Sequence, residues 1–178
     1  SVVEEIDKII KRIADRVRKI IEDLERLNKE IADLLRRIIE ELKRLNDRIR
    51  EEVDRLRRRG RDEEKKLADL IRTIAEVHKR AKEDIDRIAE KLRRAHTEVE
   101  KEVRKLEKEL RDILRKVRDD VDEKVLEDVE RKLERLKREV RRVLEESRKR
   151  LKEWKDRARE VLEESKRSLE EISRRLRE

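Results

Sequence analysis

The stretch VLEDVERKL at residues 125–133 returns as VLEESRKRL at 143–151 and again as VLEESKRSL at 161–169, each copy starting 18 residues after the last. An α-helix has about 3.6 residues per turn, so about 18 residues close five whole turns and bring a side chain back to the same line on the helix surface. A strand, with its period of two, has no use for such a spacing. The repeat therefore predicts a helix, and a helix whose apolar face does not wander.

The same interval runs through the N-terminal third of the chain. Val2, Ile20 and Ile38 form one row, and Ile6, Leu24 and Leu42 the next. They are followed by Ile9, Leu27, Leu45; Ile13, Ile31, Ile49; and Val17, Leu35, Val53, with Val3, Ile21 and Ile39 as a flanking row. At about 100° per residue these positions fall within an arc of about 120°, a single core-facing stripe. A heptad pattern would instead drift by about 20° per repeat and impose a left-handed supercoil. The period thus predicts long, straight helices.

Two interruptions divide the chain. At RRRGRDEE (57–64), Gly60 suits the left-handed position after a helix, and Asp62 can cap the next one with Glu63 and Glu64 in its first turn. At KVRDDVDEK (116–124), Asp120 with Glu123 has the spacing of a capping box, as have Ser1 and Glu4 at the start. The expected helices are 2–58, 63–118 and 121–177, each about 85 Å long at about 1.5 Å per residue. Very short connections make neighbouring helices antiparallel. The expectation is an all-α, single-chain antiparallel three-helix bundle, one rod-like domain over residues 1–178.

Composition agrees with long helices. Of 178 residues, 60% are Asp, Glu, Lys or Arg, with one Gly, no Pro and no Cys. The absence of Cys removes disulfides, thiolate metal ligands and thiol catalysis. No apolar run approaches the ~18 residues of a membrane span, and no signal-peptide pattern opens the chain. A soluble protein compatible with recombinant cytosolic expression is expected. The net charge of +8 comes from 57 basic and 49 acidic residues that are interleaved throughout. Nucleic-acid binders concentrate their cations on one face or tail, and the densest cluster here, RLRRRGR at 55–61, falls at a helix end, where cations complement the helix dipole. Only weak, salt-sensitive, non-specific polyanion binding is expected.

One row breaks the aliphatic rule. The first helix carries Ile10, Asn28, Asn46; the second His78, His96, Leu114; the third Val129, Ser147, Ser165. In an antiparallel hairpin, the residue numbers of facing positions add to a constant. Asn46 with His78, Asn28 with His96 and Ile10 with Leu114 share one sum. His96 with Ser147, His78 with Ser165 and Leu114 with Val129 share another. Two polar layers emerge, Asn28/His96/Ser147 and Asn46/His78/Ser165, with an apolar third, Ile10/Leu114/Val129. Asn, neutral His and Ser can satisfy one another's donors and acceptors, and a sliding helix would leave every member unpaired, so such layers specify register.

Ser, His and Asn are also the chemistry of hydrolytic triads. Nothing in the pattern supplies an oxyanion hole, since there is no Gly-rich turn and no free helix N-terminus beside the layers. His78 and His96 lie about 27 Å apart along one helix, and one imidazole per layer is too few strong ligands for zinc. No catalytic, cofactor-binding or metal-binding residue is expected. Trp154 shares a row with Leu136 and Ile172, and the same sums put it level with Ala89 and Leu35; Ala32 and Ala158 are further small residues that make room for it, so it is expected in the core. Thr73, Thr97, Ser168 and Ser173 are expected at the surface.

The 18-residue repeat, the idealised caps, the Lys/Arg/Glu surface, the lack of Met, Gln and Phe and the paired polar layers resemble computationally designed, untwisted antiparallel three-helix bundles with buried hydrogen-bond networks. The resemblance spans the whole chain and implies a rigid rod or scaffold, monomeric, with no natural substrate, partner or cellular location. Spectrin-type repeats, structural spacers or interaction modules with a core Trp, are the natural alternative; their helices are about half as long and follow heptads. Lipid-binding amphipathic helices and a homo-oligomeric building block fit less well, because polar layers spoil a lipid face and the stripe is consumed once three helices close.

Overall fold

The computed structural model describes residues 1–59 and 64–177, and these form three α-helices: α1 (Val2–Arg59), α2 (Glu64–Val117) and α3 (Glu123–Arg177). Gly60, Asp62 and Glu63, expected at the first connection, lie outside the described residues. At the N-terminus the Glu4 amide donates to Ser1 Oγ at 3.4 Å and the Glu5 amide to the Ser1 carbonyl at 3.2 Å, so Ser1 occupies the capping position.

The second connection differs from expectation. A turn closed by the Asp120 amide on the Val117 carbonyl (3.0 Å) ends α2, and α3 starts at Glu123 rather than 121. The carbonyl that accepts the first helical amides, from Val125 and Leu126, belongs to Asp122. Asp120 therefore lies in the turn and does not cap. The physical reason is apolar. With Asp122 at the cap, Val121 and Leu126 take the two positions of a hydrophobic staple, and both are half-buried.

The chain divides into two compact units, each built from all three helices. The first comprises Ser1–Lys29 and Lys91–Arg150. Within it, partners of α2 and α3 run in opposite directions: His96 meets Ser147, and Glu107 meets Lys137. Its buried side chains include Ile6, Ile13, Val17, Leu24, Leu92, Leu110, Leu133 and Val140. Ile10, Leu114 and Val129, the expected apolar layer, are all buried here. Arg16 Nε reaches Glu102 Oε1 at 2.7 Å, linking α1 to α2 on the surface, and Arg148 bonds Glu100 between α3 and α2.

The second unit comprises Glu30–Glu90 and Leu151–Glu178. Ile49, Ile74 and Ile172, one from each helix, form a buried cluster against which Leu45, Val53, Leu70, Ile71 and Leu169 pack. Leu35, Leu42, Ile85 and Ala158 are buried in the same unit. Trp154 departs from the core reading. It is half-buried, with the Arg36 and Arg157 guanidinium carbons 5.7 and 5.9 Å from its ring centroid, a cation–π arrangement at the flank of the unit.

Thr73 and Thr97 are exposed as expected, and their hydroxyls donate to the carbonyls four residues back, on Asp69 and Arg93. Ser168 and Ser173 are half-buried rather than fully at the surface. A sharp contrast within one turn tests the stripe: Leu35 is 1% exposed and its neighbour Leu34 is 45% exposed. Truncating Leu35 to Ala is expected to cost about 2–5 kcal/mol in chemical unfolding, and the same change at Leu34 less than about 0.5 kcal/mol.

Candidate functional site

The polar residues that interrupt the apolar stripe are the only groups in the sequence pattern with the makings of chemistry, and one layer falls in each unit. In the first unit, Ser147 of α3 is 2% exposed and His96 of α2 is 4% exposed. Ser147 Oγ donates to Asn28 Oδ1 at 2.7 Å. A hydroxyl carries one proton, so Ser147 can only accept from His96, whose Nε2 stands 2.6 Å from Oγ. The chain of donors runs His96 → Ser147 → Asn28 and places the proton of the neutral imidazole on Nε2. Asn28 is half-buried, at the edge of the core.

The second layer is less complete. His78 Nε2 and Ser165 Oγ are hydrogen-bonded to one another in the core, with Ser165 wholly inaccessible. Asn46, half-buried like Asn28, does not join them. Its Oδ1 is the one buried side-chain oxygen or nitrogen without a hydrogen-bond partner among the described residues. All three residues of the layer around Asn28 are thus brought together, and two of the three around Asn46.

Burial sets the electrostatics. Both imidazoles titrate below the ordinary value of 6.5, chiefly because desolvation penalises the cation. The Lys166 ammonium adds to this at His78. At His96 the Arg148 guanidinium acts in the same direction, partly opposed by Glu100. Each histidine is therefore neutral near pH 7, and His96 donates from Nε2 to Ser147.

Each unit carries a surface groove that the sequence pattern did not reveal. One, of about 760 Å³ in the first unit, has Ile9, Ile13, Leu106 and Ile113 on its floor and charged walls that include Arg16 and Glu102. The other, of about 440 Å³ in the second unit, runs past Ile38, Leu42, Val77 and Ala81. Neither is lined by a residue of the polar layers. Among the described residues no group of three or more His, Cys, Asp or Glu is placed to hold a metal ion, and no helix is long and apolar enough to cross a membrane.

A second cluster escaped the sequence pattern. The Glu107 carboxylate accepts from Lys137 of α3 and from Arg111 one turn along α2, each at 3.0 Å, and its side chain is only 18% exposed. The Lys137 hydrogen bond is the main reason its carboxyl titrates below 4.5. Its partner Lys137 is about three turns from Ser147 of the nearest polar layer and on another helix, so no local motif announces it.

Two outcomes follow. The histidines take up protons more readily in the unfolded chain, so stability is complete above pH about 6.5 and declines as pH falls towards the folded-state values, by at most about 2.7 kcal/mol per pH unit for two sites. Glu107 contributes in the opposite window: its stabilisation persists until pH falls below 4.5 through its depressed value. Guanidinium midpoints at pH 7.5 and 5.0 therefore isolate the histidines, and a His78→Leu, His96→Leu variant should lose most of the difference; equal pH dependence in the two chains would contradict neutral burial. The layers should also respond unequally to one substitution. Asn46→Leu removes an orphaned acceptor and is expected to stabilise, by up to about 1–3 kcal/mol, whereas Asn28→Leu removes the acceptor of Ser147 and should cost about 1 kcal/mol.

No protein-family model matches the chain, and no curated protein matches it. Among solved structures it is similar to a "Computationally designed three helix bundle", with 16% identity and a TM-score of 0.45 over 97% of this chain and 83% of that one.

Proposed function

We propose that this chain is a designed structural scaffold without a natural substrate, and that its Asn/His/Ser layers serve to set the register of the helices. The observation that carries the proposal is the bonded sequence His96–Ser147–Asn28, which takes one residue from each helix and has each partner defined by the others. A one-turn slip of any helix would strand a hydroxyl, an imidazole and an amide among aliphatic side chains, and unsatisfied groups of that kind cost about 1–3 kcal/mol each. The repeat of the pattern after 18 residues, in both units, supports deliberate placement.

The burial of the Ser–His pairs supports a structural role over a catalytic one. A nucleophile must meet its substrate, and Ser147 and Ser165 are 2% and 0% exposed. Among the described residues neither imidazole is hydrogen-bonded to a carboxylate, the role of the third member in a hydrolytic triad, and the Glu100 charge that favours a His96 cation is outweighed by burial and Arg148. The scaffold is proposed to work as a monomer without cofactor or specific partner.

The test exchanges a polar layer for the apolar one. Asn28→Ile, His96→Leu and Ser147→Val together copy the residues of the Ile10/Leu114/Val129 level. The triple variant should match or exceed the parent in stability, because a packed apolar layer needs no partners. Within this layer Ser147→Ala should be the costliest single change, since it orphans His96 and Asn28 at once. A triple variant less stable than Ser147→Ala would refute the register role, as would esterase activity that Ser147→Ala abolishes.

A further inference from the structure

The excess positive charge is not spread evenly. Residues 131–142 hold seven Lys or Arg against two Glu, whereas the 178-residue chain has a net charge of only +8. All twelve lie on α3 in the first unit. Arg131, Arg135, Arg138 and Arg142 are exposed and recur at intervals of four, three and four residues. At about 100° per residue they stay within an arc of about 60°, on the side of α3 opposite the buried Leu133, Val140 and Ser147.

Several arginines elsewhere are provided with acids on their own helix. Arg18 pairs with Asp15, Arg36 with Asp33, Arg44 with Glu40 and Arg87 with Asp84. At the middle of this row the neighbours are mostly cations, whereas Arg131 and Arg142 at its ends have acids at three of their four adjoining positions. Arg135 has Arg131, Lys132 and Arg138 at three of its four adjoining helical positions, and Arg138 has Arg135, Arg141 and Arg142. Among the described residues no carboxylate lies within ion-pair distance of Arg131, Arg135 or Arg138, while Arg142 pairs with Glu146 at 3.5 Å and Glu134 is drawn towards Lys137. Like charges at these spacings oppose one another and weaken the isolated helix.

We propose that this row is a docking surface for the phosphate backbone of duplex nucleic acid, bound without regard to sequence. Successive guanidiniums advance about 6, 4.5 and 6 Å along the helix axis. A duplex presents a phosphate every ~3.4 Å of axis on each strand, in an array as stiff as the helix, so several contacts form without reordering either partner. Guanidinium forks match phosphate oxygens in pairs of hydrogen bonds. No aromatic ring or side-chain amide stands on the row to stack on unpaired bases or to read base edges. No apolar residue stands there to enter a lipid surface either, and among the described residues the exposed large hydrophobics, Val3 and Leu34, belong to α1.

The experiment titrates the full chain into a fluorescein-labelled 20-bp DNA duplex and follows anisotropy between 50 and 200 mM NaCl. Four phosphate contacts give a slope of log K on log salt of about −3.6, or about 150-fold weaker binding across that range. Arg135→Gln with Arg138→Gln should halve the slope, leaving about a 12-fold loss. Arg18→Gln with Arg44→Gln removes the same net charge from α1 and should leave the slope near that of the parent. Equal losses in the two variants would overturn the proposal, because net charge alone would then account for binding. No binding at 50 mM NaCl would overturn it as well. So would tighter binding, at equal anionic charge, to heparin or to phosphatidylserine vesicles than to the duplex.

Discussion

Five turns of α-helix take about 18 residues, and almost everything in this protein depends on that near-integer closure. A residue and its counterpart one repeat later stand on the same line of the helix, so one choice of side chain is made along a whole row. Rows given to Ile, Leu and Val bury on all three helices, as with Ile6, Leu24 and Leu42, which are 1–3% exposed. The row given to polar residues produces a layer in each unit at an equivalent place. Helical propensity contributes as well, since neither Gly nor Pro interrupts a described helix. The more important effect is that each helix has one face to bury and two neighbours against which to bury it.

Within that frame the serine hydroxyl is the discriminating group. It has one proton to give and can accept in return, so its bond to Asn28 determines what it can do with His96. Ser147 thereby transmits the position of α1 to α2 through α3. The second layer uses the same three residue types and lacks that transmission, because Asn46 is not bonded to Ser165. Identical composition is therefore not identical specification. A register set by two bonded helices and an orphaned amide discriminates less strongly than one set by three, and the buried oxygen of Asn46 is a cost with no compensating bond.

The number of helices was legible from the two interruptions of the pattern, and the face each buries from the 18-residue rows, although Val3 on the flanking row is 41% exposed. The pairing of His96 with Ser147 and of His78 with Ser165 followed from constant sums of residue numbers, which express only antiparallel geometry. What spacing could not decide was finer than a residue. Three aspartates crowd the second connection, and the choice of Asp122 over Asp120 puts half-buried Val121 and Leu126 at the staple positions, which the capping pattern does not include. The amide of Asn46 misses Ser165 by side-chain placement within a correct level. Trp154 sits on a core row, but its ring is half-buried and has the Arg36 and Arg157 guanidiniums over it, a placement that the row does not disclose. Pairs such as Glu107–Lys137 join long side chains across helices, and rows describe only where those side chains start.

The Ser–His pairs make a wider point about reading chemistry from residue types. An imidazole beside a hydroxyl is a catalytic arrangement only if three further things hold: the hydroxyl is reachable, the imidazole can accept its proton, and the imidazolium is stabilised. Here desolvation opposes the cation at both histidines, and the nearby Lys166 and Arg148 oppose it further. In the layer around Asn28 the Nε2 nitrogen that would have to accept the serine proton already holds one, because Ser147 has given its own to Asn28. The interaction that defines the register is thus the same one that makes the serine a poor nucleophile. Structural specificity and catalytic competence compete for a single proton, and in this core the proton lies between Ser147 and Asn28.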